Sequence, residues 1–187
     1  MITIAIIIII IILLHKNKNT KYTGNNTNKT ASQIGTEGEN TTRRILGRVE
    51  KGVQYPLHDV IFLDENSNSF QIDHIFINKY GIWVIETKNY SGTIYGNENQ
   101  QNWTQVINYG KIKNSFYNPI KQNLGHCYKL KKIIGNNAPL NSMVVFINGD
   151  ISNVTATSGI CAKKFLKQIV WTDNGTNLSQ TEMENWL

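Results

Sequence analysis

Cysteine is nearly missing from this sequence: among 187 residues only Cys127 and Cys161 carry a thiol. They stand far apart and form no CxxC pair. That spacing argues against a zinc ribbon or a disulfide scaffold and makes a reducing compartment the simpler setting. A GxxxxGK[ST] phosphate loop is also absent, so the chain holds no NTPase or helicase engine of that kind. No Ser-His-Asp arrangement shows a local signature, and no internal repeat stands out. Charge is sparse, at 17% of residues, and leans positive, with a formal net charge of +6 and a pI near 9.3. That balance suits a polyanionic partner, nucleic acid or an anionic membrane surface, although many basic proteins bind neither. With 40% hydrophobic residues the chain fits one globular domain plus an appendage.

The appendage is the N-terminus, "MITIAIIIIIIILLHKNKN", apolar from Ile2 to Leu14 except at Thr3. It lacks the charged start and small-residue cleavage site of a secretory signal. As a helix it would span about 20 Å, short of a hydrocarbon core of about 30 Å. The expectation is an uncleaved membrane anchor over residues 1–15, a single pass, with a cleaved signal as the alternative. His15, Lys16, Lys18 and Lys21 follow the run and by the positive-inside rule keep the rest of the chain in the cytoplasm. Residues 16–33 are polar and without period, and read as a flexible linker.

Residues 34–187 form the expected domain. Ile45, Leu46 and Val49 at helical spacing, with acids early and arginines late, predict a helix from about Glu37 to Glu50. "HDVIFLD", "SFQIDHIFIN" and "GIWVIETK" predict three strands, and "SGTIYG" a short fourth. Asn118 as cap and Pro119 at the first helical position open a helix ending at Gly135. "SMVVFIN" reads as a buried strand and "CAKKFLKQI" as a short helix. The order predicts an α/β or α+β domain with helices around one sheet.

Within the apolar stretch "QIDHIFINKYGIWVIETKNYSG", residues 71 to 92, three charges stand out: Asp73, Glu86 and Lys88. Buried charges are costly unless paired, hydrogen-bonded or metal-bound. A hairpin turning at Asn78–Gly81, with Ile77 facing Ile82, puts Asp73 opposite Glu86. Alternation then places both on one face with Lys88. Two carboxylates and a lysine suit a Mg²⁺ site for phosphodiester hydrolysis. The metal would be held by Asp73, Glu86 and the Thr87 carbonyl, while Lys88 orients water or stabilises developing charge. On spacing alone a surface ion pair of Glu86 and Lys88 is equally open.

The flanks resolve this by resemblance. "GTEGEN", "FQIDHIFINKYGIWVIETKNYSGTIYG", Asn102–Trp103, "NPIKQN" and "VVFIN" resemble, in order and approximate spacing, the nuclease-related domain (NERD) family. That family is placed in the restriction-endonuclease-like PD-(D/E)XK superfamily. The resemblance runs from about Gly35 to Val170. It implies a mixed sheet flanked by helices, preceded here by the membrane helix, and a Mg²⁺- or Mn²⁺-dependent nuclease site acting on DNA. It makes Asp73 and Glu86 metal ligands, Lys88 the catalytic lysine, Glu39 an additional acid and Gln122 a helix glutamine near the site. The superfamily's proline before the first acid is replaced by Ile72. Plainer readings stay open: Glu39 as a dipole-favouring glutamate and Gln122 as a solvent-facing amide.

His74 reads as a core or supporting histidine, His126 as a boundary residue able to reach a phosphate, and Trp103 as core. Tyr109 could stack on an unpaired base. Lys129, Lys131, Lys132, Lys163, Lys164 and Lys167 form two basic helix faces, solvated or in contact with a phosphate backbone. The leading expectation is a membrane-tethered nuclease. The alternative is a non-catalytic nucleic-acid-binding or partner-docking module.

Overall fold

Two apolar hairpin arms, "SFQIDHIFIN" and "GIWVIETK", form the centre of the structure, a computed structural model that describes residues 29–187. They become β2 (Ser69–Asn78) and β3 (Gly81–Lys88), as the sequence predicts. They pair antiparallel with Ile77 opposite Ile82, the predicted register. On one side β2 carries β1 (Gln54–Leu63). On the other, β3 runs parallel to β7 (Leu140–Phe146), and the three-residue β9 (Ile160–Ala162) closes the edge. The resulting five-stranded sheet has the order β1-β2-β3-β7-β9. β3 is central, buried along Gly81–Thr87, which explains why its run is continuously apolar rather than alternating.

Helices cover both faces. α1 (Ala31–Leu46) begins well before the expected Glu37 and stops short of Glu50; its buried Gly38, Thr42 and Leu46 recur every fourth residue. α2 (Pro119–Ile134) is the predicted helix, and the Asn118 side chain accepts from the amides of Ile120 and Lys121. α3 (Lys163–Val170) packs Leu166 and Val170 into the core beneath β7, and α4 (Gln180–Glu184) caps the far end with Met183.

The expectation of helices around one sheet is corrected. A second, four-stranded sheet of order β6-β5-β4-β8 is built from β4 (Thr93–Asn97), β5 (Asn102–Ile107), β6 (Ile112–Tyr117) and β8 (Asp150–Thr155). Its inner face buries Ile94 and Trp103 against Ile120, Val144 and Phe146, so Trp103 is a core residue, as read from sequence. Tyr109 lies at the fully exposed tip of the β5–β6 hairpin. The architecture is mixed α+β: two mixed sheets flanked by helices. The expected membrane anchor and most of the linker lie outside the described residues. Among those described, no helix is long and apolar enough to cross a membrane. Cys127 and Cys161 are free thiols, both pushed up by burial, to about 11 and about 12.

Candidate active site

The β2–β3 ladder runs only as far as His74 opposite Ile85. One pair further, where Asp73 would face Glu86, the strands separate. The Thr87 amide donates instead to the Asp73 carboxylate, Oδ2, at 2.9 Å. The neighbouring strand is irregular at the same level. Asp59 in β1 adopts φ of 53°, and both strands change facing there. Phe70 and Ile72 share a core cluster with Ile75 and Ile77, which strict alternation would forbid. Asp73 and His74 therefore occupy a kink, and the even alternation expected through Asp73 is corrected.

Glu86 and Lys88 point to the α2 face. Lys88 Nζ lies 2.7 Å from Glu86 Oε1 and 3.1 Å from Gln122 Oε1, while Gln122 Nε2 donates to Glu86 Oε1 at 2.8 Å. The side chains of this pair are 16% and 6% exposed, so the surface ion-pair alternative does not describe it. Gln122 is no solvent-facing amide; it ties both charges to α2. Its neighbour Asn123 is fully buried and donates to the carbonyls of Val84 and Met143 and to the Ser142 hydroxyl, pinning α2 across β3 and β7. On the opposite face the hydroxyls of Thr87 and Thr42 meet at 2.9 Å, docking α1. That approach requires Gly38, since a Cβ there would fall 2.6 Å from the Asn89 Cβ.

His126, one helical turn after Gln122, reaches within 3.7 Å of Glu86 Oε2 and stacks on Phe70. Burial holds its pKa below the usual value against the pull of Glu86. Sequence analysis read it as a boundary residue able to reach a phosphate, without assigning it to the cluster; its i+4 spacing from Gln122 was the available signal. His74 lies on the other face, fully buried, with Nδ1 2.8 Å from His58 Nδ1, in keeping with its reading as a core residue.

Electrostatics join the acids. Burial, reinforced by the Glu86 carboxylate, raises Asp73 to about 7, with Glu39 adding to the rise and the Thr87 amide and Lys88 opposing it. Glu39 on α1 is also raised, by burial and then by Asp59, with Arg43 opposing and Glu86 adding to the rise. Glu39 thus lies within the electrostatic reach of Asp73 and Glu86. Asp73 and Glu39 are thus both held towards their protonated forms, by burial first and by neighbouring carboxylates second.

The donor set fits a hard divalent cation. The hydrogen bonds of the cluster fall on Asp73 Oδ2 and Glu86 Oε1, which leaves Asp73 Oδ1 for a ligand and Glu86 Oε2 facing His126 only at 3.7 Å. At the end of β3 the Lys88 carbonyl accepts from the amide of Ile147, the residue after β7, so by alternation the Thr87 carbonyl turns the other way, towards Asp73. Two carboxylate oxygens and a carbonyl, completed by waters, match what Mg²⁺ takes. Among the described residues no group of three or more His, Cys, Asp or Glu is arranged to hold a metal ion, so such a site would need waters or substrate oxygens as further ligands.

An uncharacterized protein of Bacillus anthracis is 40% identical over 112 residues, covering 60% of this chain and 52% of the relative. The chain therefore spans about half the length of that relative. No solved structure matches the chain. Residues 34–147, which include most of α1, the Asp73–Glu86–Lys88 hairpin and Gln122, match the nuclease-related domain, and the chain belongs to that family.

Proposed function

We propose that the protein is a metal-dependent nuclease that hydrolyses phosphodiester bonds, with DNA as its substrate. The observation that carries this reading is the cluster at the tip of β3. A buried Glu86 is gripped by Lys88 and Gln122, beside an Asp73 whose carboxyl is driven up to about 7 by burial and by Glu86. Asp73, Glu86 and the Thr87 carbonyl are the groups that would hold Mg²⁺ or Mn²⁺. Bound there, the ion would supply Lewis-acid polarisation and neutralise charge on the phosphate. Lys88 Nζ then orients the attacking water and stabilises the negative charge that develops on the phosphoryl oxygens. Gln122 keeps Lys88 and Glu86 aligned, and Glu39 adds an acid from α1. The Ile2–Leu14 run supports a membrane tether with the domain on the cytoplasmic side.

The test incubates the full chain with linear and circular, single- and double-stranded DNA in Mg²⁺, Mn²⁺ or EDTA, beside Glu86→Gln and Lys88→Ala. The expected result is cleavage that needs metal and is lost in both variants. A folded parent that binds DNA and leaves it intact would shift the reading to a non-catalytic binding or docking module. Recovery of the chain in a carbonate-washed membrane fraction tests the tether separately, and release by carbonate would count against it.

A further inference from the structure

Beyond the catalytic cluster, a polar cleft of about 400 Å³ opens where the parallel strands β3 and β7 end. Its walls come from four separate elements. α1 contributes Asn40 and Arg44, the residue after β3 is Asn89, Asn148 follows β7, and Lys163 opens α3. The amides form a chain: Asn89 Nδ2 donates to the Ile34 carbonyl at 2.6 Å, and Asn148 Nδ2 donates to Asn89 Oδ1 at 2.8 Å. Lys163 Nζ closes the chain at 3.5 Å from Asn148 Oδ1. Arg44 is steadied along its own helix, through the Asn40 carbonyl and the Thr41 hydroxyl, both at 3.2 Å. Those two contacts leave most of its five N–H donors available.

Neither Arg44 nor Lys163 forms an ion pair with a carboxylate among the described residues. Glu37 also lines the cleft, so two cations stand against one carboxylate and the lining keeps a positive excess. A planar guanidinium, an ammonium and fixed amide groups together form a set that recognises phosphate oxygens.

The position of the cleft indicates which phosphate. Lys88 and Asn89 are consecutive, with Cα atoms about 3.8 Å apart. Lys88 reaches Gln122 on the α2 face, while Asn89 reaches Ile34 on the α1 side. The cluster and the cleft are therefore two sides of one strand tip, and Glu39 and Asn40 are likewise adjacent on α1. We propose that the cleft is a second phosphate subsite, in which Arg44 and Lys163 hold a backbone phosphate flanking the one at Lys88. The bound strand then crosses the tips of β3 and β7 from the α2 face to the α1 face. Calling the phosphate at Lys88 scissile rests on the nuclease reading; the subsite itself does not.

The test reads binding without cleavage. The full chain, in EDTA, is titrated into short fluorescein-labelled single-stranded and duplex oligonucleotides carrying one neutral methylphosphonate linkage, moved position by position. In the parent, neutralising the linkage that sits in the cleft should weaken binding about tenfold, the loss of a charge-assisted contact. In Arg44→Ala/Lys163→Ala the same linkage should have no further effect, and the salt dependence of binding should become shallower by about one to two in log–log slope. Lys164→Ala, whose ammonium lies over the Phe165 ring, should keep the parent's pattern. Both cleft cations are exposed, and circular dichroism checks that the double variant is folded.

Equal sensitivity of parent and double variant at every linkage would overturn the subsite, as would a parent that binds no oligonucleotide. Binding of inorganic phosphate that needs Arg44 and Lys163, without linkage coupling, would also overturn it by showing an isolated anion site. A protein that shows the coupling yet cuts nothing would refute the nuclease reading and leave the subsite standing.

Discussion

Asp73 completes with its side chain the ladder that β2 and β3 otherwise build from backbone: its Oδ2 takes the Thr87 amide at 2.9 Å. The bond ties the carboxylate to β3 at the residue directly after Glu86. Two carboxylates are thereby fixed near each other at one strand tip, in surroundings that keep Glu86 at 5% exposure. Nothing in the packing of the hairpin needs two acids there. Glu86 adds to the rise of the Asp73 carboxyl and Lys88 opposes it, and under the proposed function that balance marks a place for a cation.

The metal-free protein should show that imbalance in its pH dependence. Asp73 ionises near 7 when folded, against 3.8 for an ordinary aspartate, so the folded state binds the extra proton between those values. Its contribution to stability is full below 3.8 and is lost as pH rises through about 7. Comparing denaturation midpoints of the parent and Asp73→Asn in EDTA from acid to neutral pH isolates this slope. The variant should gain on the parent as pH rises, and added Mg²⁺ should stabilise the parent more at pH 8 than at pH 5. A difference profile flat with pH would refute the account.

Gln122→Leu should lower DNA cleavage by about 10- to 100-fold, the usual cost of losing a partner that orients a reactive group. The stability loss should stay near 1–2 kcal/mol, because two side-chain hydrogen bonds disappear while Lys88 remains on Glu86. Activity assays beside urea unfolding separate the two effects. A variant that cuts like the parent would return Gln122 to a structural role.

Much of this arrangement was legible in the chain. β2 and β3 are β-branched and aromatic runs bounded by Asn78–Gly81, and a turn that tight fixes register, which is why Ile77 opposite Ile82 could be read. The kink at Asp73 could not, because it is shared with a left-handed residue, Asp59, in a different strand, and no local signal in β2 marks it. The second sheet was hidden for another reason. β5 and β6 carry "NWTQVI" and "IKNSFY", whose polar outer positions mask the inward Trp103 and Phe116. Their turn uses positive φ at Asn108 and Tyr109, residues with no obligation to adopt it. Within the site, His126 escaped assignment because its role depends on how far α2 leans over β3, which Asn123 determines by burial.

Gly38→Ala should destabilise the fold by about 1–3 kcal/mol, since the new Cβ meets backbone-anchored atoms of Asn89 and Thr87 rather than a flexible tip. It should also reduce cleavage, because the shift needed to relieve the contact moves Glu39, the next residue on α1. Urea midpoints and cleavage rates measured on one preparation check both parts. Unchanged stability would mean that α1 docks less tightly on β3 than the Thr42–Thr87 contact indicates.

Acid should unfold the protein through a second pair. His58 and His74 share one hydrogen bond between their Nδ1 atoms, and burial holds them down to about 4 and about 3, with Arg43 lowering both. Unfolded, they would titrate near 6.5. Their contribution to stability is therefore complete above 6.5 and is lost as pH falls through about 4, opposite in sign to that of Asp73. The two trends partly cancel in the parent, so acid destabilisation should be steeper in Asp73→Asn, where only the histidine slope remains. Proton NMR provides the direct check: the imidazole resonances of both residues should hold their neutral positions until the pH nears 4. Titration of either one near 6.5 would show that the pair is open to water and takes no part in acid unfolding.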